Sequence, residues 1–256
     1  ARLSINLMDE LKKIILRIAS ILLITFLPCA VLLLVYFYTA PKIAEYYDIK
    51  EKRAVLDIFH IPYRVNVSSF MGMTSKSIDK KDVQEVFKKN ITVEEPPAPS
   101  WELHPGDTKA AGEAKAKEAS EKHKAKGGKK IFKFVQDGKP QGVGFVDSKM
   151  GYGYNKSSSM SLFICLEPDL ETLKGIEVLD HSETPGLGGR MTEAAFKNQF
   201  AGKKLKPMIS FVKGRKSEGA NEFDAITGAT NTSRGVEAFL NDAMKEFWEV
   251  QGNITW

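Results

Sequence analysis

Hydrophobic residues are spread unevenly along the 256-residue chain, and their spacing changes character from one end to the other. Residues 18–40 read IASILLITFLPCAVLLLVYFYTA, without one charged side chain. At a rise of about 1.5 Å per residue, such a run crosses a hydrocarbon core of about 30 Å. A cleaved leader has an apolar core of only about 7–15 residues, and this run closes on Tyr36, Phe37 and Tyr38 like an interfacial aromatic belt. It is therefore expected to be an uncleaved transmembrane helix, with Pro28 tolerated at mid-span. Residues 41–60 keep helical spacing and are expected to continue as a juxtamembrane helix, and 82–90 (DVQEVFKKN) as a short second one.

Beyond residue 131 the pattern shortens. IFKFVQ, Asp137-Gly138 and GVGFVD predict two strands around a turn. Residues 160–166, 173–180 and 208–213 predict three further strands, and 193–200 a helix. Val236, Phe239, Leu240, Ala243, Met244 and Phe247 recur at the spacing of one helix face, so the chain is expected to end in an amphipathic helix. Hairpins before helices, rather than strict alternation, imply an α+β class with a mixed sheet and flanking helices. No internal repeat is present.

Residues 94–130 contain EEPPAPS and then an Ala/Lys/Glu-rich run with almost no large apolar side chain. This stretch cannot bury a core and reads as a solvated insertion. The expected organisation is 1–40 N-terminus and span, 41–93 juxtamembrane helix and first part of the soluble domain, 94–130 insertion, and 131–256 main domain.

Hydrophobic content of 43% and charged content of 27% exclude a wholly disordered or collagen-like chain. The net charge of +5 is local, because residues 104–130 hold eight Lys against four acids; no folded basic face for nucleic acid is implied. Cys29 and Cys165 build neither a disulfide framework nor a metal site, although Cys29 at membrane depth could join a cysteine of a neighbouring subunit at an iron–sulfur centre. His60 and His181 lack partners at metal-ligand spacing. Lys12, Lys13 and Arg17 precede the span, so the positive-inside rule puts the N-terminus in the cytoplasm and the main domain outside.

The most informative stretch is Asp224-Ala225-Ile226-Thr227-Gly228-Ala229-Thr230, a strand end and tight turn leading into the final helix. Gly228 and Ala229 keep the backbone bare, and Thr230 presents a hydroxyl where free N–H groups and the helix dipole favour a phosphate. Thr and Ser here equally suit a helix cap. Upstream, Glu183-Thr184-Pro185-Gly186-Leu187-Gly188 is a Gly-rich loop after a strand, and Gly151-Tyr152-Gly153-Tyr154 is a Gly- and aromatic-rich turn before one.

Together these motifs resemble a family of membrane-anchored flavin proteins. Asp-x-x-Ser/Thr-Gly-Ala-Ser/Thr is the pattern at which flavin transferases attach FMN through its phosphate, and ETPGLG is that family's loop. Order and anchor look like the G subunit of Rnf ion-translocating ferredoxin:NAD+ oxidoreductases, with the C subunit of the Na+-translocating NADH:quinone oxidoreductases as close relative. The juxtamembrane helix tips the balance to the Rnf type. The resemblance implies a covalent FMN ester on Thr230, with Asp224, Thr227, Gly228 and Ala229 completing the transferase signature. It puts Glu183, Thr184, Leu187 and Gly188 at the flavin pocket, Tyr152 nearby, and Lys213 where it could balance phosphate or reduced-flavin charge. It further implies a bacterial inner-membrane protein that passes electrons among membrane and iron–sulfur subunits while partners move Na+ or H+. No catalytic triad, HExxH or Walker-type loop indicates a separate substrate site. The alternative of a different class is a cofactor-free anchored assembly module whose TGAT merely caps a helix.

Overall fold

A computed structural model describes residues 2–70, 73–94, 129–251, 254 and 256. Most of the expected insertion at 94–130 lies outside the described residues. The chain forms two compact units, Ala1–Ile49 and Lys50–Trp256.

The first unit lies within helix α1, Arg2–Ile58, which contains Pro28 and Pro41. Among the described residues this is the one helix long and apolar enough, over Ile14–Ile58, to cross a membrane. Its hydroxyls turn inward to the backbone: Ser20 donates to the Leu16 carbonyl at 2.7 Å and Thr39 to that of Val35 at 2.8 Å. Such back-bonding satisfies a polar group without water. Lys42 lies 3.9 Å over the Tyr38 ring, a cation–π contact at the end of the apolar run. The helix passes residues 40 and 41 without a break, so the expected juxtamembrane helix is its continuation.

The second unit is α+β. After α1 come a hairpin of β1 (Val65–Phe70) and β2 (Met73–Ile78), helix α2 (Lys80–Asn90), and strand β3 (Ile91–Glu94). Asp79 caps α2 by accepting from the amides of Lys81 at 3.1 Å and Asp82 at 3.2 Å. Then follow β4 (Ile131–Gln136), β5 (Lys139–Met150), β6 (Ser159–Leu166) and β7 (Leu173–His181). Strands β3 to β7 form one antiparallel sheet in sequence order. Among the described residues the parallel pairing is that of β8 (Ser210–Val212) with β9 (Glu222–Asp224), a two-stranded sheet separate from the five-stranded antiparallel one, within the α+β class that the sequence implies. The helix expected at 193–200 is only α3 (Ala194–Lys197), flanked by 3-10 turns at Gly188–Thr192 and Asn198–Phe200. These tighter turns put Phe196 and Phe200 against each other at 5.3 Å and Phe200 on Phe223 at 4.8 Å.

The final helix, α4 (Thr230–Gln251), lies across one face of the large sheet. All six residues of its predicted stripe are buried, and Phe247 stacks on Phe145 with centroids 4.8 Å apart. Each of the larger side chains contributes roughly 1.5–3 kcal/mol by leaving water. The opposite face carries Phe132 and Phe163, 5.7 Å apart, and Phe134, which meets Phe59 at 5.0 Å. At Gly144 a Cβ would come within 2.2 Å of the Phe163 ring, so the bare backbone there is what lets that ring lie across the sheet.

Candidate functional site

The start of α4 is held by a hydroxyl from inside the helix. Ser233 Oγ accepts from the Ile226 amide at 2.9 Å and donates to the Ala229 carbonyl at 3.1 Å, both in buried surroundings. The turn between them is closed by Ala229 N–H donating to the Ile226 carbonyl at 2.9 Å, with Gly228 at φ +82°. That left-handed conformation suits a residue without Cβ. Ser233 thus fastens the turn that precedes α4, while among the described residues no hydrogen bond engages the half-buried Thr230 hydroxyl.

A second anchor joins three segments. Glu183, 6% exposed, follows β7. One oxygen, Oε1, accepts from the Tyr154 amide at 2.8 Å, and Oε2 accepts from the Thr232 hydroxyl at 2.5 Å. Its own amide donates to His181 Nδ1 at 3.1 Å. Glycines make room for this carboxylate: a Cβ at Gly153 would lie 2.1 Å from Oε1, and one at Gly188 2.2 Å from Oε2. On the other side of the contact, a Cβ at Gly235 would lie 1.6 Å from the Tyr152 carbonyl oxygen. Helix α4 and the 152–154 turn therefore touch backbone to backbone.

Two cavities flank Gly228. One, of about 300 Å³, is lined by Tyr154, Glu183, Thr184, Leu187, Gly188 and, from the α4 side, Gly228, Ala229 and Thr232. Leu187, 51% exposed, offers it an apolar edge. The other, about 590 Å³, is bounded by Asp224, the 225–228 turn and Thr230 on one side, and by the loop Lys213, Gly214, Arg215, Lys216 on the other. That loop is braced by Arg215, which meets Glu222 Oε1 at 2.6 Å. Asp224 Oδ1 accepts the Ser217 amide, and the Asp224 amide donates to Gln199 Oε1 at 2.7 Å. One cavity is mixed apolar and polar; the other joins three cationic side chains to a threonine hydroxyl at the N-terminus of a 22-residue helix.

Comparison with known proteins bears on both. Residues 153–245 match the family described as FMN-binding domain. The chain is 39% identical over 103 residues to the C subunit of the Na(+)-translocating NADH-quinone reductase of Yersinia pestis, covering 38% of this chain and 37% of that protein. It is 33% identical over 162 residues to the corresponding protein of Neisseria meningitidis, covering 61% of this chain and 57% of that protein. The chain thus spans less than two thirds of the length of either relative. Shewanella oneidensis NqrC, a crystal structure, has the same fold at a TM-score of 0.51 and 24% identity, over 80% of this chain and 92% of that one.

Of the residues singled out in the sequence, Glu183, Thr184, Leu187, Gly188, Gly228 and Ala229 meet at the smaller cavity, and Asp224, Thr227, Gly228, Thr230 and Lys213 at the larger. Tyr152 lines neither. Its ring packs edge-on against Phe239 at 5.5 Å, and its hydroxyl donates to Asp242 at 2.8 Å. Burial, and then that carboxylate, push the Tyr152 phenol up to about 12, which keeps it a donor. Tyr154 stands at the cavity in its place. Sequence reasoning read Thr232 and Ser233 only as candidate helix caps and missed Gly235. Their signal was available: two hydroxyls and a glycine at the start of a helix are poor helix formers, so tertiary contacts must hold them there.

Proposed function

We propose that this chain is a membrane-anchored electron-transfer protein that carries FMN as a phosphoester on Thr230 and works as one member of a larger complex. The observation that carries this reading is the meeting of the TGAT turn with the ETPGLG loop at the smaller cavity and with the cationic 213–216 loop at the larger, the two cavities sharing Gly228. The residues present fit the group. Leu187, Tyr154 and Thr184 would hold the flavin ring, Gly228 would leave room for the linking chain, and Lys213, Arg215 and Lys216 would balance the phosphate. Bound FMN supplies a ring that takes up and gives back electrons.

What the protein contributes is placement. The Ser233 clamp fixes the turn, leaving the Thr230 hydroxyl accessible from the larger cavity, and Glu183 ties the loop to the helix. Esterification would require a flavin transferase, for which Asp224, Thr227, Gly228, Ala229 and Thr230 would be the recognised sequence.

The relatives named above are C subunits of Na(+)-translocating NADH-quinone reductases, so the quinone-reductase assembly becomes the leading reading in place of the Rnf type expected from the sequence. The chain would act there beside other membrane and iron–sulfur subunits, coupling electron flow to ion movement without a substrate site of its own. The Rnf reading rests on the unbroken helix through residues 41–58. In either assembly α1 would cross the bacterial cell membrane once, with the N-terminus in the cytoplasm and the domain from residue 50 outside; the 94–130 stretch would be an insertion in that domain.

The test is co-production with and without a flavin transferase, followed by a denaturing gel under ultraviolet light. A fluorescent band that needs the transferase and vanishes in Thr230→Ala is expected. A non-fluorescent band in both cases leaves the cofactor-free assembly module. Co-purification with quinone-reductase subunits, rather than ferredoxin-type ones, decides between the two complexes.

A further inference from the structure

We infer that Glu183 is a positioning residue whose buried negative charge also sets how readily the flavin is reduced. The inference rests on the FMN reading above. Both carboxylate oxygens accept hydrogen bonds, from an amide at 2.8 Å and a hydroxyl at 2.5 Å, and this is the pattern of a group serving as acceptor twice over. The side chain is 6% exposed yet lines the smaller cavity. Its room is made by Gly153 and Gly188, where any Cβ would collide with its two oxygens. A carboxylate used only to fasten a loop needs no contact with a cavity, and one facing a ring at close range acts on that ring's charge.

Two-electron reduction adds two electrons and one proton to the flavin ring and leaves it one net negative charge. The electrons come from a neighbouring redox centre in the complex and from an electrode in the test. A fixed anion across a cavity of this size opposes that charge. With an effective dielectric constant of about 20, unit charges at such range alter an equilibrium by roughly tenfold or more. Glu183 therefore holds the flavin at a lower potential than a neutral residue would.

The experiment is a spectroelectrochemical titration of the full chain in detergent, loaded with FMN by the transferase, as wild type and Glu183→Gln. Glutamine can keep both partners, its oxygen accepting the Tyr154 amide and its NH2 donating to Thr232 Oγ1, so the charge alone is removed. At a fixed electrode potential the ratio of reduced to oxidised flavin should rise at least tenfold, about 30 mV for this two-electron couple. An unchanged potential in a normally loaded Glu183→Gln protein overturns the inference and leaves the flavin reading intact. A Glu183→Gln protein that folds but does not load also overturns the inference, because glutamine keeps both hydrogen bonds and a charge that only tunes the flavin is not needed for its attachment. A wild-type protein that never acquires flavin overturns both this inference and the function it rests on.

Discussion

Replacing Gly235 by alanine sets two effects of opposite sign against each other. In an isolated helix the change is favourable by about 1 kcal/mol, because glycine is a poor helix former. Here the added Cβ would sit 1.6 Å from the Tyr152 carbonyl oxygen, 2.5 Å from its carbon and 3.2 Å from the Gly153 nitrogen. Non-bonded heavy atoms need about 3.5 Å, so the shortfall is roughly 2 Å. It lies between two backbones, where no side chain can swing aside. The 152–154 turn is itself fastened by the Tyr152–Asp242 hydrogen bond at 2.8 Å and by the Tyr154 amide on Glu183, also at 2.8 Å. Overpacking of this kind costs up to about 3 kcal/mol, which leaves a net loss of up to about 2 kcal/mol after the helix gain. Urea unfolding of the full chain in detergent should show a lowered midpoint with unchanged slope, and FMN loading should fall because the turn carrying Tyr154 is displaced. A variant as stable as wild type, or more stable, would refute the close approach of helix and turn.

Other expectations follow from the same geometry. Ser233→Ala leaves the buried Ile226 amide without its acceptor and should cost about 1–3 kcal/mol in urea unfolding. Tyr152→Phe removes only the bond to Asp242, so it should destabilise by about 0.5–1.5 kcal/mol while FMN loading and visible spectrum stay as in wild type. The Arg215 guanidinium, with the amides of Gly219 and Glu218, lowers the Glu222 carboxyl to about 2. A depressed folded value means that its stabilising contribution is complete above the unfolded value of about 4.3 and is lost as pH falls toward 2. The wild-type minus Glu222→Gln difference in stability should therefore shrink on acidification through that window, and a difference flat across it would contradict the pairing.

The legible parts of the fold were those with strong periodicity. The apolar run, the strands from residue 131 and the α4 stripe all form where the sequence places them: burial of one face dictates the α4 stripe, whereas the apolar run is a helix whose large side chains are exposed. The β1–β2 hairpin escaped notice: VNVSSF and MTSKSI are rich in Ser and Thr and carry no clean alternation. The 193–200 stretch had helix-like composition, but packing of Phe196 and Phe200 on Phe223 favours short 3-10 turns over a continued helix. Motif residues in the candidate site were readable because TGAT and ETPGLG are local. The supports were not, because Glu183 and Thr232 are 49 residues apart, and only the fold brings that carboxylate to that hydroxyl. Which tyrosine of the turn reaches a cavity was not readable for a related reason. In Gly-Tyr-Gly-Tyr the two tyrosines are equivalent by composition, and the close approach of Gly235 to the Tyr152 carbonyl leaves one half-buried against the core and the other on a cavity wall.

The central claim is that one threonine oxygen carries the redox group. Intact-protein mass spectrometry of the full chain, produced together with a flavin transferase, measures this directly. The account predicts a mass higher by one FMN less one water, mapped by peptide fragmentation to Thr230 and missing from Thr230→Ala. An unmodified mass, or a flavin mapped to any other residue, would contradict it.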